Sequence, residues 1–400
     1  MLEKAKCYYM AQIPYIFTQM IQFLPKDYFD RLVKKSGADA YIKSFTYWNH
    51  LLVMIWAHLT DRKGWRDIEA SLKVHSDKLF RMGMGKVASR NNLSHSNANR
   101  DVGVFRKMAI KMMSITTNLS VSDPCLKDIS AALGVDGFYA IDSTSISLDL
   151  KRFSWSVPQE GVGGIKLHTM FDLMRKVPAS CLITGHEERD QTFMDDYHYR
   201  ENCFYVMDKM YVKTSSLYNI HNHNAYFIVR RKRNIVYTNI RQNPTDGILI
   251  IDDRIIKFGS RWASKGYPED LRLISYYCRE KNETLEFMTN NLEADAATIA
   301  LLYAYRWEIE VFFKWIKQHL HITHFYGSSG NAVMIQVYCG IITYCLLSIV
   351  KDALKFDGSL YEFSRIVNTV LTEKSWLIDI VNRYNSIPQP IVDDNYLTLF

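Results

Sequence analysis

Nineteen consecutive residues, Ala332 to Val350, carry no charge. A run of that length has to leave water, either across a bilayer or inside a protein core. Gln336, Thr343 and Ser348 interrupt it and no second span accompanies it. Those interruptions favour a helix buried in a large domain and predict no membrane partner. The rest of the chain can supply such a core, since 48% of its 400 residues are hydrophobic and 23% are charged. That length has room for two or three domains of roughly 150 residues each. Aromatic residues reach 13%, against 18 Gly and 9 Pro, which excludes a disordered or collagen-like chain.

Charge is distributed unevenly. Residues 1–120 hold 19 Lys/Arg against 9 Asp/Glu, while the remainder holds 30 against 33. A basic front third on a nearly neutral body suits a polyanionic partner, without choosing among DNA, RNA and membrane. Seven cysteines, at 7, 125, 181, 203, 278, 339 and 345, form no C-x-x-C pair. The odd, scattered set fits reduced cytoplasmic thiols better than a zinc site or a disulfide framework. The N-terminus lacks a signal-peptide pattern, which also predicts a cytoplasmic protein.

Helical periodicity runs from about 10 to 60, then over 65–79 and 89–112, with Gly83 and Gly85 in the link. Arg66, Arg90 and Arg100 decorate this pair together with several asparagines, a combination able to touch phosphates and base edges. An exposed, solvated bundle is the alternative. β-prone runs follow at 138–150, 165–171, 178–184 and 204–207, with a polar segment expected to be helical at 190–202. A second β-rich interval continues to about 290, at 225–229, 235–240, 247–258, 271–277 and 284–288. Helical texture returns from 293, and two further helical runs lie near 360–371 and 376–384.

Asp142 ends the run Phe138-Tyr139-Ala140-Ile141, and Asp208 ends Phe204-Tyr205-Val206-Met207. Residues just beyond strand ends are where α/β proteins place their chemistry. Neighbouring carboxylates repel unless a proton or cation intervenes, and Mg²⁺ combines a few carboxylates with water and phosphate oxygens. Each Asp alone could equally open a turn. A third carboxylate comes from the helix after 293. At 100° per residue, Tyr303, Arg306, Glu310 and Lys317 share a stripe about 60° wide beside an apolar face. An Arg306–Glu310 pair on an ordinary amphipathic helix is the plainer account of part of that stripe. Glu308 faces elsewhere.

The spacing Tyr303-x-x-Arg306-x-x-x-Glu310-x-x-x-x-x-x-Lys317 resembles the Y-(2)-R-(3)-E-(6)-K signature of bacterial insertion-sequence transposases of the IS-four family. Asp142, in Ile-Asp-Ser-Thr, resembles that family's first catalytic aspartate. Asp208, in Met-Asp-Lys-Met-Tyr, resembles the second, with Met210 where the family usually has Gly. Trp65-Arg66-Asp67-Ile68 and Ser89-Arg90-Asn91-Asn92-Leu93-Ser94 resemble its accessory DNA-binding region.

The resemblance implies an α/β fold: a ribonuclease-H-like catalytic core interrupted by a β-rich insertion, with a helical N-terminal DNA-binding region. The expected divisions are 1–125 for the helical DNA-binding region, 126–208 for the first part of the core and 209–292 for the insertion. Residues 293–350 form the second part of the core and 351–400 a C-terminal helical region. It also implies a DNA transposase in which Asp142, Asp208 and Glu310 hold two Mg²⁺ ions, with Mn²⁺ as a substitute. Cleavage at mobile-element ends would be followed by joining of the 3′-hydroxyl ends to target DNA. Arg306 and Lys317 suit DNA phosphates, and Tyr303 suits a phosphate hydrogen bond. The implied partners are double-stranded DNA at element ends and target sites, and a second copy in a synaptic homodimer. The implied location is the bacterial cytoplasm, at the nucleoid when DNA is bound.

Residues 209–245 add seven Lys/Arg and no acid, densest at Arg230-Arg231-Lys232-Arg233, a further DNA-contact expectation. Trp262 is expected to pack, with base stacking as the alternative. His168 is divided between DNA contact and a structural role. His221-x-His223 and His319-x-His321 with His324 lack the companions of a metal site. Ser143 and Ser145 lack a G-x-S-x-G elbow. A nuclease without strand transfer and an inactive DNA-binding regulator remain the alternatives to a transposase.

Overall fold

The structure, a computed structural model, describes residues 14–40, 42–156, 163–245, 248–319 and 324–387. Cys7, Gly247 and His321 lie outside the described residues. The helices in chain order are α1 Ile16–Ile21, α2 Lys26–Ser36, α3 Tyr47–Leu59, α4 Trp65–Val74, α5 Ser76–Leu79, α6 Arg90–Asn99, α7 Val102–Thr116 and α8 Pro124–Leu133. Strands β1 Gly137–Ser147, β2 Gly164–Asp172, β3 Val177–Gly185 and β4 Cys203–Met207 follow, then α9 Thr214–Asn222. Next come β5 Tyr226–Arg230, β6 Tyr237–Gln242, β7 Ile250–Phe258, α10 Arg261–Gly266, β8 Leu271–Cys278 and β9 Glu283–Thr289. The chain closes through α11 Ala296–Ala304, α12 Trp307–His319, α13 Gly330–Ala353, α14 Leu360–Val370 and α15 Leu377–Asn385.

Two compact units share these elements. Among the described residues, one takes in those up to Ser120, those of Ile146–Gly164 and those from Lys314 onward; the other takes in Val121–Ser145 and those of Ile165–Phe313.

In the first unit α13 is the hub, packed against α3, α6 and α7. It is long and apolar enough to cross a membrane, yet 89% of its most apolar window is buried inside the protein. Its polar interruptions are satisfied internally. Gln336 Oε1 accepts from the Tyr326 amide at 2.9 Å and its Nε2 donates to the His324 carbonyl at 3.1 Å. The Thr343 and Ser348 hydroxyls donate one turn back, to Cys339 and Tyr344, at 2.8 and 3.0 Å. A buried hydroxyl without such a partner would cost about 1–3 kcal/mol. Within the span 293–350 expected as the second part of the core, the described residues from Lys314 on group by contact with the N-terminal helices, against which α13 buries its surface.

Also in this unit, α4 packs on α6, and Gly83 and Gly85 between them take φ of +76° and +75°, a conformation that disfavours any side chain. The helix expected over 89–112 is two. Arg100 is extended, and Asp101 starts α7 by accepting the Gly103 amide at 2.7 Å.

The second unit is built on a nine-stranded sheet ordered β3-β2-β1-β4-β5-β9-β8-β7-β6. β2 and β3 pair antiparallel, whereas β1, β4 and β5 run parallel. This five-stranded half has the ribonuclease-H-like arrangement. β9, β8, β7 and β6 extend the same sheet as an antiparallel run. The insertion is therefore continuous with the core sheet, and its first antiparallel hairpin strand is β6. Residues 209–230, expected in the insertion, supply α9 and β5, and β5 pairs with β4 in parallel. The cause is the buried run Phe227-Ile228-Val229, which needs a partner on both edges. One face of the sheet is filled by Tyr139, Tyr205, Phe227, Tyr267 and Leu271 with their neighbours. The segment expected to be helical at 190–202 is a short 3₁₀ stretch, Asp190–Asp196, followed by extended chain.

Candidate active site at the strand ends

β1 and β4 are paired in register, Ile141 opposite Met207, so Asp142, within β1, and Asp208, just past the end of β4, each follow the last pair of the parallel ladder. Neighbouring strands lie about 4.8 Å apart. Glu310 comes from the first turn of α12. The helical wheel drawn through Tyr303 and Glu310 is broken, because Tyr305 and Arg306 form a turn between α11 and α12. Bonds from Arg306 N to Tyr303 O (3.0 Å) and from Glu308 N to Tyr305 O (3.0 Å) tighten that turn. Tyr305, fully buried, anchors it by donating to Asp123 at 3.3 Å.

This turn aims Arg306 at the acids. Its Nη1 donates to Asp142 Oδ2 at 3.1 Å and its Nη2 to Glu310 Oε1 at 2.7 Å. The expected i,i+4 pair is present, and the same guanidinium also reaches a carboxylate 164 residues away. Burial pushes the Asp142 carboxyl up to about 6; Arg306 and the Ser143 amide oppose that rise, and Glu310 and Asp208 add to it. Despite desolvation, Arg306 is held above its ordinary value by Tyr303 and the two carboxylates. Among the described residues no three or more His, Cys, Asp or Glu side chains are gathered as a metal cage.

Tyr303 packs against Phe287, with ring centroids 4.4 Å apart and planes tilted by 35°, and burial raises its phenol to about 12, so it remains a donor at neutral pH. Tyr303, Asp208, Arg230, Lys281, Arg306 and Trp307 line a cleft of about 100 Å³. Lys281, in the β8–β9 turn, carries no sequence signal beyond its charge. Lys317 lies two turns beyond Glu310 on α12, with its ammonium disfavoured by burial. Glu308 pairs with Lys176 at 3.0 Å. Met210, 54% exposed, needs no left-handed backbone, so the turn after Asp208 accommodates it without Gly.

Other expected contacts divide sharply. Arg66, Arg90 and Arg233 are exposed, and Lys232 is partly so. Arg100 is only 7% exposed: it donates to the carbonyls of Thr46 (2.7 Å) and Phe45 and covers the Phe45 and Tyr47 rings. It is a structural cation, and the DNA-contact reading fails for it. Arg231 is likewise committed, to Glu286 at 2.7 Å and over the Tyr237 ring. Trp262 corrects the opposite error, being 84% exposed rather than packed; the short helix α10 has no buried residue. His168 is 1% exposed, bonded to Thr184, and its imidazolium is disfavoured to about 4 by burial, so it does not face DNA. His221 bonds Tyr267 and His223 bonds the Asn219 carbonyl.

The transposase DDE domain family model matches residues 134–346, more than half of the chain, and this span contains all three acids. The chain belongs to the DDE transposase family. A separate model, a domain of unknown function (DUF4372), matches residues 14–85. The DDE chain is 31% identical over 239 residues to a putative transposase y4zB of Sinorhizobium fredii, covering 58% of this chain and 66% of that protein. It is 27% identical over 218 residues to a probable transposase for insertion sequence element IS5377 of Geobacillus stearothermophilus, covering 54% and 57% respectively. It is 24% identical over 315 residues to a putative transposase for insertion sequence element IS4SA of a Synechocystis strain, covering 75% and 84%. The chain thus spans less than two thirds of the length of the first two relatives. Among solved structures, a piggyBac transposase synaptic complex with hairpin DNA shares 12% identity at a TM-score of 0.41, over 87% of this chain and 74% of that one.

Proposed function

We propose that this chain is an insertion-sequence transposase, of the type carrying the Y-R-E-K signature, that cuts DNA at mobile-element ends and joins the 3′-hydroxyl ends to target DNA. The observation that carries the reading is the Arg306 guanidinium shared between Asp142 and Glu310, with Asp208 beside Asp142 on the next strand. A cation already spans two of the acids, and all three offer the hard oxygen donors that suit Mg²⁺ with water and phosphate. That donor set fits two Mg²⁺ ions, with Mn²⁺ as a substitute, held by Asp142, Asp208 and Glu310. Bound there, the ions would supply the charge that activates an attacking oxygen and stabilises the leaving one.

The chain's own residues do the rest. Arg306, Arg230 and Lys281 present positive charge along the cleft, where phosphates of a DNA strand are the matching anions. Tyr303, protonated at neutral pH, donates a hydrogen bond to a phosphate oxygen, and Lys317 is a further candidate for a DNA phosphate. The exposed Arg66 and Arg90 on α4 and α6, with Lys232, Arg233 and the uncovered Trp262 indole, bind the DNA flanks. Pairing of two element ends calls for a homodimer on DNA, in the bacterial cytoplasm.

Sequencing the products that purified protein makes from its native element ends and a target plasmid tests this. Joined products support transposition. Cleavage without joining would replace it with a nuclease, and binding without cleavage in Mg²⁺ or Mn²⁺ would leave a DNA-binding regulator. Glu310→Gln should keep DNA binding and lose cleavage.

A further inference from the structure

Next to Asp142 and Asp208, the 3₁₀ stretch after β3 presents two polar side chains that the proposed chemistry does not use. On one side the link is Ser143. Its amide donates to Asp142 Oδ1 at 2.8 Å, and its hydroxyl donates to Asp190 Oδ1 at 2.6 Å. Asp190 is held in turn by Lys166 Nζ at 3.1 Å, and the same ammonium donates to the Glu188 carbonyl at 2.7 Å. His168 lies alongside, its Nδ1 3.9 Å from Asp190 Oδ1 and its ring tilted against Phe193 at 4.0 Å. On the other side, Gln191 Nε2 donates to the carbonyls of Met210 (2.6 Å) and Val212 (3.2 Å), in the turn that follows Asp208. Adjacent residues of one short element therefore grip the chain beyond both acids.

We propose that Asp190 and Gln191 are positioning residues that fix the placement of Asp142 relative to Asp208. The parallel ladder between β1 and β4 ends at the Ile141–Met207 pair, one residue before each acid. Beyond that point β1 runs on to Ser147 without β4 beside it and the chain after Asp208 turns out of the sheet, so the ladder no longer sets one acid against the other, while a shared ion site tolerates displacements of only about 0.5 Å. The Asp190–Ser143–Asp142 chain orients the first carboxylate. The Gln191 amide sets the turn that carries the second. Neither side chain is asked to touch substrate. The proposal deepens the transposase reading and rests on it for the role of the two acids.

The test compares Asp190→Ala, Gln191→Ala and the conservative Asp190→Asn, which keeps an oxygen for the Ser143 hydroxyl. Outer residues of this kind are expected to change metal affinity about tenfold. Mn²⁺ affinity should therefore fall about tenfold in each alanine variant, and kcat for end cleavage should fall with it while KM for DNA is unchanged. Asp190→Asn should recover most of both. Wild-type Mn²⁺ affinity and kcat in both alanine variants, with only the melting temperature lowered, would overturn the proposal. Should the wild type neither bind Mn²⁺ nor cut DNA, the functional reading fails separately. Crystal structures then decide the positioning claim: carboxylates of Asp142 and Asp208 displaced in the alanine variants support it, and unmoved carboxylates refute it.

Discussion

The Arg306 guanidinium donates to Asp142 Oδ2 at 3.1 Å, joining the turn before α12 to the middle of β1. The contact gives the acid cluster a positive charge of its own, and it makes the stability of this region depend on what other cations are present. Both groups are largely buried, with side-chain exposures of 16% and 19%.

Arg306→Ala should therefore leave Asp142, Glu310 and Asp208 facing one another without a counter-charge. Breaking a fully buried pair costs about 3–5 kcal/mol. Glu310 is 37% exposed, so the loss here should be nearer about 1–3 kcal/mol. Chemical denaturation with and without Mg²⁺ checks it: the loss should shrink when Mg²⁺ is added. An unchanged midpoint without metal would show that the bridge contributes no stability.

The raised Asp142 carboxyl sets a pH dependence. Its folded value, about 6, lies above the unfolded value near 3.8, so the native state favours the protonated form. The stability it contributes is present below about pH 4 and is lost as pH rises through 6. Asp142→Asn, which stays neutral, should gain on the wild type by up to about 3 kcal/mol between pH 4 and pH 7.5 without metal. Equal pH profiles for the two proteins would refute this. Cleavage, which needs the ionised carboxylate, should fall as the solution is acidified below pH 6.

Arg100 and the pair Arg66 and Arg90 should separate fold from DNA binding. Arg100→Ala removes two carbonyl hydrogen bonds and two ring contacts from a buried site, and should cost about 2–4 kcal/mol. Arg66→Ala and Arg90→Ala, at exposed positions, should stay within about 0.5 kcal/mol of the wild type. They should instead weaken DNA binding and flatten its salt dependence, measured by fluorescence anisotropy at several salt concentrations.

Trp262→Ala should likewise leave stability within about 0.5 kcal/mol, because the indole is 84% exposed. A loss of several kcal/mol on denaturation would mean that the side chain packs after all. Reduced affinity for DNA in the same variant would assign it a stacking role.

Much of this molecule was legible in one dimension. The uncharged run at 332–350 required a buried helix, and α13 is one, because no arrangement in water leaves nineteen such residues exposed. The apolar runs before Asp142 and Asp208 marked two strands, since β-branched and aromatic residues favour a sheet; Asp208 does follow the end of β4, whereas β1 continues through Asp142 to Ser147. Local signals set element type, and they failed where a side chain chose a distant partner. Nothing near Arg306 in the chain announces Asp142, and nothing near Arg100 announces the carbonyls of residues 45 and 46. The same holds for the grip of Asp190 on β1 and of Gln191 on the turn after Asp208, for the merger of the insertion with the core sheet, and for the bare surface around Trp262. Hydrophobic period is a property of neighbours, and the sequence determined what depends on it; which charges are buried, paired or left to solvent depends on groups brought together only by folding, and the tertiary structure alone decided that.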